Sequence, residues 1–495
     1  MEKEHKEALR RAEESLEKVK KDVEASEYRQ RYHFMTPGYW LNDPNGVIYM
    51  DGEYHAFYQH NPYGIFLGPM HWGHAKSKDL VHWEHLPIAL APSEEYELYP
   101  EGVYGCYSGS TLYENGVLYA VYTASRGAGE KNVQVQCLAR SYDQGTTFVK
   151  EPSNPIISRP PECGSRDFRD PKIWEHEGKY YMLCGTCSDG FGKVVLYRSD
   201  NMTDWEFFNV MAESRGEYGK MWECPDFFEL DGRYVLVFSP MGLGYRKTFY
   251  MTGDFDYESG RFSMLTEGEV DWGFDYYAPQ SFVDGKGRRI MLGWANNWDW
   301  MPWFKDYGPT QKDKWCGSFA LPREVKICED NRLSFAPAEE LKILRNGHKS
   351  YEELVIGQEE PLNIEAGDGI SFELDVSIDR SKTTAEQFWF ELRAGQGFKT
   401  VVLFDLKNGM FKIDRSDADG WSRGVQSCTL EDRGKEEIKA HIFVDRSSVE
   451  VFTDRGRTVM SANIFPKDNC SMTRLCAKGG KLRVKRIDAW GLDRA

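Results

Sequence analysis

The 495-residue sequence lacks the features of several classes of protein. It contains no run of about 20 apolar residues, so no membrane-spanning helix and no membrane partner are expected. Its 62 Lys and Arg residues are outnumbered by 78 Asp and Glu, and the net charge of −16 argues against nucleic acid as a partner, because phosphate contacts need a basic face. The first residues lack the apolar stretch of a secretory signal, which predicts a cytoplasmic protein.

Patterns for disulfides, metals and cofactors are also scarce. The eleven cysteines are an odd and scattered set, which predicts free thiols. The C-x-x-C pair at 184–187 has no second pair to complete a zinc site, and the H-x-x-H pairs at 71–74 and 82–85 suit strand positions better than metal ligands. Because there is also no phosphate-binding glycine loop and no G-x-S-x-G motif, the sequence predicts no cofactor and no metal.

Aromatic residues, in contrast, are plentiful at 14% of the chain. Trp, Tyr and Phe are common in β-strands, and they also form the flat apolar surfaces on which sugar rings stack. Composition alone leaves both interpretations open.

Residues 2 to about 27 are rich in Glu, Lys, Arg and Ala and are predicted to form one amphipathic helix. This N-terminal extension, residues 1–30, either packs on its own domain or contacts a second chain as a coiled coil. The sequence therefore leaves open whether the protein forms a homo-oligomer through this extension or through the C-terminal domain. The apolar stripe consists of Leu9, Ala12, Leu16, Val19 and Val23.

A long repeat runs through residues 31–335. Hairpin-like turns recur at spacings of 64, 62, 54 and 55 residues, and each is flanked by apolar strands. A second pattern, S-x-x-[LM]-x-x-W, occurs at 77–83 and again at 199–205. Five repeats with about four short strands each predict a five-bladed β-propeller. The turn glycines are Gly52, Gly116, Gly178, Gly232 and Gly287.

The pattern changes after the fifth repeat. Residues 336–350 are predicted to link two domains and to include a short helix at 337–344. Residues 351–495 alternate apolar and polar positions in at least six segments, which predicts a β-sandwich. The predicted fold class is therefore all-β, with a propeller, a sandwich and a short N-terminal helix.

The repeat also predicts where a site lies, because the innermost strands of a propeller converge at its axis. The positions about nine residues before the turn glycines include Asp43, Glu223, and Arg169 with Asp170 beside it. Carboxylates crowded in one funnel raise one another's pKa, a cost that a glycosidase exploits and a scaffold avoids. A hard cation such as calcium is the alternative occupant of such an acidic cleft.

Aromatic, amide and hydroxyl side chains are expected around this funnel, and such a mixture suits a polyol ligand. The candidates are Trp40, Gln59, Trp72, Tyr107, Ser108, Asp275, Tyr276, Tyr277, Trp294 and Trp298.

Several motifs at these positions together resemble glycoside hydrolase family 32, the β-fructofuranosidases that include invertases and sucrose-6-phosphate hydrolases. The resemblance extends from about residue 30 to the C-terminus. It rests on W-L-N-D-P-N-G at 40–46, F-Y-Q-H-N-P at 57–62, the segment 72–83, Y-S-G-S at 107–110, F-R-D-P at 168–171, W-E-C-P-D at 222–226, Y-A-P-Q at 277–280 and the tail segment 443–452. It implies a five-bladed propeller followed by a sandwich, in agreement with the repeat.

The resemblance also implies roles for individual residues. Asp43 would be the nucleophile, Glu223 the general acid and base, and Asp170 the carboxylate that holds fructose hydroxyls and steadies the transition state. A retaining reaction follows, with the carboxyls of Asp43 and Glu223 roughly 5–5.5 Å apart. Substrate-binding positions would be Asn42, Gln59, Tyr107, Ser108 and Arg169, joined by Trp40 and Trp294.

Two features depart from the family's pattern. The helical extension before residue 30 is not part of it, and Tyr107 replaces a phenylalanine. The expected partner is a small sugar, foremost sucrose 6-phosphate or sucrose. Short fructans, a fructosyltransferase reaction with the same acids, and a non-catalytic sugar-binding propeller are the alternatives.

Overall fold

The structure is a computed structural model that describes residues 2–127, 129–244, 246–298, 308–358, 360–431 and 435–495. Strands dominate it, and they form sheets in two successive parts of the chain. The predicted all-β class, with N-terminal sheets and a C-terminal sandwich, is confirmed.

The N-terminal extension forms two helices, α1 (Glu2–Glu17) and α2 (Lys20–Glu24), so the prediction of one helix is wrong. The apolar stripe meets two different surfaces, which requires a turn between the helices. Leu16 packs beside Ile88, whereas Val19 and Val23 pack beside Trp315. The stripe is thus buried against its own chain.

The first part of the chain contains five consecutive units, each of four antiparallel strands. The innermost strand of each unit contacts that of the next, and the fifth contacts the first, so the ring closes. The units are β1 (Tyr39–Met50), β2 (Glu53–Asn61), β3 (Pro69–Ser77) and β4 (Trp83–Leu90); β5 (Tyr104–Glu114), β6 (Val117–Arg126), β7 (Val133–Ser141) and β8 (Val149–Lys150); β9 (Phe168–His176), β10 (Lys179–Ser188), β11 (Phe191–Ser199) and β12 (Glu206–Glu213); β13 (Met221–Leu230), β14 (Arg233–Met241), β15 (Phe249–Asp256) and β16 (Arg261–Glu269); and β17 (Tyr277–Val283), β18 (Arg289–Trp294), β20 (Arg323–Ile327) and β21 (Leu333–Pro337).

Two further pairings tie the units together. The short strand β19 (Trp315–Cys316), which lies between β18 and β20 in sequence, pairs in parallel with β1 and so joins the last unit to the first. Strands β3 and β5 also pair in parallel at their first residues, which merges the first two units into one sheet.

The predicted turn glycines all adopt the left-handed conformation. Their φ angles run from 76° to 89°, a region that favours glycine, and each lies between the first and second strands of a unit. In the first four units the residue before the glycine also has a positive φ, as a tight two-residue hairpin requires.

Helix α1 covers the free edge of the first unit. Strand β4 pairs only with β3 in the described part of the chain, so its outer N–H groups need other acceptors. Glu13 Oε1 accepts from Ile88 N at 2.6 Å, and His5 Nε2 accepts from Ala91 N at 3.2 Å. The extension thus satisfies an edge that would otherwise be open.

The C-terminal part consists of two six-stranded sheets whose inner faces share one apolar core. A 3-10 helix, Glu339–Leu344, connects it to β21. One sheet has the order β22-β33-β24-β29-β30-β31 and the other β23-β32-β25-β26-β27-β28. The strands are β22 (Arg345–Ile356), β23 (Leu362–Ile364), β24 (Phe372–Asp379), β25 (Gln387–Gly395), β26 (Phe398–Asp405), β27 (Met410–Asp414), β28 (Val425–Thr429), β29 (Glu437–Asp445), β30 (Ser448–Thr453), β31 (Thr458–Asn463), β32 (Met472–Lys478) and β33 (Leu482–Leu492).

A buried group of charged side chains lies between the two parts. Arg323 donates to Asp271 at 2.8 Å and to Glu450 at 2.9 Å. The imidazole of His33 lies 2.9 Å from Asp445 and 3.1 Å from Glu450. These five residues, called the interface cluster below, join the ring of strand units to the sandwich by paired charges.

Candidate active site

The innermost strands of all five units carry the same irregularity. In each one, two successive residues face a single residue of the second strand, which is a β-bulge. Bulges of this kind turn side chains out of the regular alternation and are common beside active sites. The bulged pairs are Asn42 and Asp43, Tyr107 and Ser108, Asp170 and Pro171, Cys224 and Pro225, and Ala278 and Pro279.

The three predicted acids occupy three different positions around this bulge. Asp43 is the second bulged residue of β1, Asp170 is the first of β9, and Glu223 directly precedes the bulge of β13. The interpretation that they sit at one matching offset is therefore wrong in detail. Asp170 has a φ of 63° and Cys224 a φ of 47°, a conformation that costs energy for residues other than glycine.

Asp43 is buried and has one bonded and one open oxygen. Its Oδ2 accepts a hydrogen bond from Ser108 Oγ at 2.7 Å, and the thiol of Cys224 lies 3.5 Å from the same oxygen. Its Oδ1 has no hydrogen-bond partner in the part of the chain that the structure describes. This second oxygen is thus buried with its hydrogen-bonding capacity unused.

Asp170 shares the thiol of Cys224 with Asp43. Asp170 Oδ2 accepts from Cys224 N at 2.8 Å and lies 3.5 Å from its Sγ. The Oδ2 atoms of the two aspartates can therefore be no further apart than twice 3.5 Å. The main chain of Asp170 is held in place by Thr123, whose Oγ1 accepts from its N–H at 2.9 Å.

Glu223 accepts hydrogen bonds on both oxygens. Arg169 donates to Oε1 from Nε at 3.1 Å and from Nη2 at 2.9 Å, and Tyr277 OH donates to Oε2 at 2.6 Å. The carboxyl of Glu223 is therefore fixed in orientation, whereas that of Asp43 keeps one unpaired oxygen. Asp43, Asp170 and Glu223 are called the acid funnel below.

The aspartates of the funnel are harder to ionise than ordinary ones. Burial and then the charge of Asp170 raise the pKa of Asp43 to about 7, although the hydrogen bond from Ser108 opposes the shift. Burial also raises the pKa of Asp170 to about 6, against the charge of Arg169 and with that of Glu223. Buried carboxyls that share a cleft behave in this way because their charged forms repel.

The predicted sugar-binding residues divide into two groups. Ser108 and Arg169 contact the acids directly. The others stabilise the strands behind them: Asn42 accepts from Trp40 Nε1 at 2.6 Å, and Gln59 donates to the main chain of Cys106 at 2.9 Å. Tyr107 OH donates to Val103 O at 3.3 Å, and Trp72 Nε1 donates to Tyr107 O at 2.9 Å. Trp40 and Trp294 are fully buried and pack against Trp298.

Two expected funnel residues belong elsewhere. Asp275 is bonded to Arg415 of the sandwich at 2.6 Å, and the ring of Tyr276 lies 3.8 Å from the guanidinium carbon of Arg323. Both precede β17, where the chain faces the C-terminal sheets. Their placement in the funnel was wrong because adjacency to Tyr277 in sequence does not give the direction of a side chain.

Cys224 was missed as a contact of the acids. It appears in the motif W-E-C-P-D, but no property of a single cysteine in a sequence indicates that its thiol lies between two carboxylates. Only the bulge of β13 brings it there.

The described residues also bear on the predictions for cysteines, metal ligands and membrane-spanning helices. All eleven cysteines are free, including Cys184 and Cys187 on β10. Within the described ranges no group of three or more His, Cys, Asp and Glu side chains could hold a metal ion. No helix in those ranges is long and apolar enough to cross a membrane.

At the centre of the ring lie buried carboxylates whose pKa values are raised by burial and by one another. Such carboxylates are typical of the active sites of glycoside hydrolases. Comparison with known proteins agrees. The model of the glycosyl hydrolases family 32 N-terminal domain matches residues 33–337, and the model of the family 32 C-terminal domain matches residues 340–491. The chain belongs to glycosyl hydrolase family 32.

Similar proteins cover more than nine tenths of this chain. A sucrose-6-phosphate hydrolase of Zymomonas mobilis is 35% identical over 98% of this chain and 96% of the relative, and a raffinose invertase of Escherichia coli is 36% identical over 93% and 94%. Among solved structures, the Bombyx mori family 32 β-fructofuranosidase is 32% identical and covers 99% of both chains with a TM-score of 0.81. A sucrose-6-phosphate hydrolase of Lactobacillus gasseri is 26% identical over 97% and 96%, with a TM-score of 0.85.

The N-terminal helices are therefore less unusual than the sequence suggested. The family model begins at residue 33, which fits the expectation that they lie outside the family's pattern. The silkworm enzyme nevertheless aligns over 99% of this chain, so it has a counterpart for most of the extension.

Proposed function

We propose that the protein is a retaining β-fructofuranosidase that hydrolyses sucrose 6-phosphate or sucrose through a fructosyl-enzyme intermediate. The observation that carries the proposal is the asymmetry of the acid funnel. The buried carboxyl of Asp43 has one unpaired oxygen, that of Asp170 lies beside the Cys224 thiol that Asp43 also contacts, and that of Glu223 is fixed by Arg169 and Tyr277.

Each acid then has a distinct task. Asp43 Oδ1 attacks the anomeric carbon of the fructosyl unit, and Glu223 protonates the leaving glycosidic oxygen and later deprotonates water. Asp170 accepts hydrogen bonds from fructose hydroxyls and stabilises the positive charge that develops on the ring. Substrate hydroxyls that donate to Asp43 and Asp170 favour the ionised forms of both aspartates. A proton shared among the three carboxyls is then held by Glu223.

The stereochemical outcome tests the role of Asp43. Double displacement gives β-fructose as the first product, and the carboxyls of Asp43 and Glu223 are expected roughly 5–5.5 Å apart. Proton NMR of the first turnover in a concentrated enzyme sample distinguishes the anomers before they equilibrate. An α-anomer formed first would rule out the nucleophile.

We assign sugar contacts first to Ser108 and Arg169, which adjoin the acids, and next to Tyr107, Asn42 and Gln59. Trp40 and Trp294 are fully buried, so their role is to support the site from behind. Asn42 accepts the indole N–H of Trp40, which places it between the tryptophan and the funnel.

The substrate is proposed to be a small β-fructofuranoside, and initial rates on sucrose and on sucrose 6-phosphate, with Asp43→Asn as the blank, test this. Activity on either sugar that the substitution abolishes supports the proposal. No activity on either sugar would favour a transferase or a non-catalytic sugar-binding protein, although the presence of all three acids argues against the latter.

Fructans are the second candidate substrate. A levanase of Bacillus subtilis is 34% identical over 93% of this chain and 70% of the relative. Release of fructose from levan faster than from sucrose would favour this alternative. We further propose that the enzyme works in the cytoplasm, where its eleven free cysteines would stay reduced.

A further inference from the structure

A pocket lies between helix α1 and the first two strand units, and none of the three acids lines it. Its volume is about 440 Å³, within the range of small-molecule sites. Helix α1 forms one wall, and the loops before β3 and β5 form the other. The pocket, called the helix pocket below, is lined by Ala8, Arg11, Tyr63, His71, Leu98 and Tyr104, among others.

The strand ladder places this pocket at the same end of the ring as the acid funnel. Leu41, two residues before Asp43, is opposite His60 on β2, and His60 is opposite His71 on β3. Two strand steps of about 4.8 Å put His71 roughly 10 Å from Leu41. That distance is comparable with the length of a disaccharide.

A second strand leads to the same place. Tyr104 is the first residue of β5, and the same strand carries Ser108, which donates to Asp43. Tyr104 at the pocket and Ser108 at the funnel are therefore four residues apart on one strand, roughly 13 Å.

The lining of the helix pocket is unusual for this chain. The protein has 78 Asp and Glu residues, yet none of the described residues that line the pocket is acidic. Arg11 projects from α1 and has no hydrogen bond or ion pair with any described residue, whereas its neighbour Arg10 is paired with Glu7 and Glu14. The charge of Arg11 also acts on Glu7 of the same helix, but no carboxylate among the described lining residues bonds to it, and such a cation favours an anionic ligand.

The other lining groups suit a sugar ring. Tyr63 and Leu98 are 42% and 45% exposed, and such apolar surfaces stack against the C–H faces of sugars. His71 Nδ1 donates to Pro69 O at 2.7 Å, and burial lowers the pKa of His71 to about 3, so its Nε2 remains an acceptor for a sugar hydroxyl. The pocket thus combines one arginine side chain with apolar and hydroxyl-bearing surfaces.

We propose that the helix pocket binds the phosphorylated glucosyl unit of the leaving group, with Arg11 on the phosphate and Tyr63 against the ring. This inference rests on the proposed function and specifies its substrate as a sugar phosphate. It also gives the N-terminal extension a role in specificity, because α1 supplies the cation.

Arg11→Gln is the variant that tests the proposal, and Arg10→Gln is its matched control on the same helix. The quantity to measure is the ratio of kcat/KM for sucrose 6-phosphate to that for sucrose. Loss of a charged hydrogen-bonding partner of a phosphate is expected to lower this ratio at least about tenfold in Arg11→Gln and to leave it unchanged in Arg10→Gln. Arg11→Lys should restore part of it, because lysine keeps the charge and loses the two-pronged geometry.

A ratio within twofold of the wild type in Arg11→Gln, or a wild type without preference for the phosphorylated sugar, would overturn the proposal. A binding measurement separates this failure from failure of the proposed function, since it needs no turnover. Titration of glucose 6-phosphate into Asp43→Asn is expected to give at least tenfold tighter binding than into Asp43→Asn with Arg11→Gln. Equal binding would refute the pocket even if the enzyme hydrolyses sucrose.

Discussion

The acid funnel and the interface cluster are both buried groups of carboxylates, yet their charges are balanced in opposite ways. In the interface cluster, burial alone would raise the pKa of Glu450, but the hydrogen bond from His33 and the charge of Arg323 lower it to about 2. In the funnel, Asp43 has no cation beside it and its pKa is raised to about 7. Burial raises the pKa of both carboxyls, so the opposite directions of their net shifts come from their partners.

The two groups serve different ends. In the interface cluster, each carboxylate is paired with a buried cation, and these paired charges hold the ring and the sandwich in one arrangement. The unpaired oxygen of Asp43 costs stability, and such costs are typical of sites that bind and react.

The largest effect is expected for Asp43→Asn. Removing the proposed nucleophile should lower kcat on sucrose or sucrose 6-phosphate by at least about 1,000-fold, because an amide in this place cannot attack the anomeric carbon as the carboxylate does. Asp231→Asn, at an exposed turn, is the control and should retain full activity. Residual activity above one tenth of the wild type would contradict the assignment.

In the interface cluster, Arg323→Met should reduce stability and not chemistry. It leaves Asp271 and Glu450 buried without their shared cation, a loss of about 3–5 kcal/mol, and the melting temperature should fall accordingly. Arg233→Met, which breaks an exposed pair with Asp254, should cost less than about 1 kcal/mol. If both variants melt alike, the interface cluster does not stabilise the fold.

In the acid funnel, unlike in the interface cluster, removal of a charged group should raise the stability of the protein. Because the folded pKa of Asp43 is about 7 and lies above its unfolded value, the folded state holds an extra proton between about pH 4 and 7, and stability is lost as pH rises through this window. Asp43→Asn should therefore melt at a higher temperature than the wild type at pH 8, with little difference at pH 4. Calorimetry of both proteins at the two pH values tests this prediction. A melting temperature of Asp43→Asn below that of the wild type at pH 8 would contradict the raised pKa.

The smallest effect is expected for Cys224→Ala. The thiol and main-chain N–H of Cys224 both lower the pKa of Asp170, so loss of the thiol alone should move the acid limb of the kcat/KM profile to higher pH by less than about one unit. Cys428→Ala, a buried thiol on β28 of the sandwich, is the control and should leave the limb in place. A shift to lower pH would mean that the thiol does not stabilise the carboxylates.

Much of this molecule could be predicted from local patterns. A turn glycine needs a left-handed φ wherever the hairpin occurs, so the spacing of five such turns already indicated five strand units. The same spacing pointed to Asp43, Asp170 and Glu223, and the structure brings the first two to one thiol and the third to Arg169, which directly precedes Asp170.

Other features of the site depend on partners that are distant in sequence, and these could be seen only in the tertiary structure. A bulge exists only relative to the neighbouring strand, so neither the three positions of the acids nor the contact of Cys224 with Asp43, 181 residues away, could be read from one segment. The break between α1 and α2 depends on two surfaces, near Ile88 and Trp315, that the helices meet only after folding. Local conformation follows from neighbouring residues, whereas the partners of a buried charge follow from the packing of the whole chain.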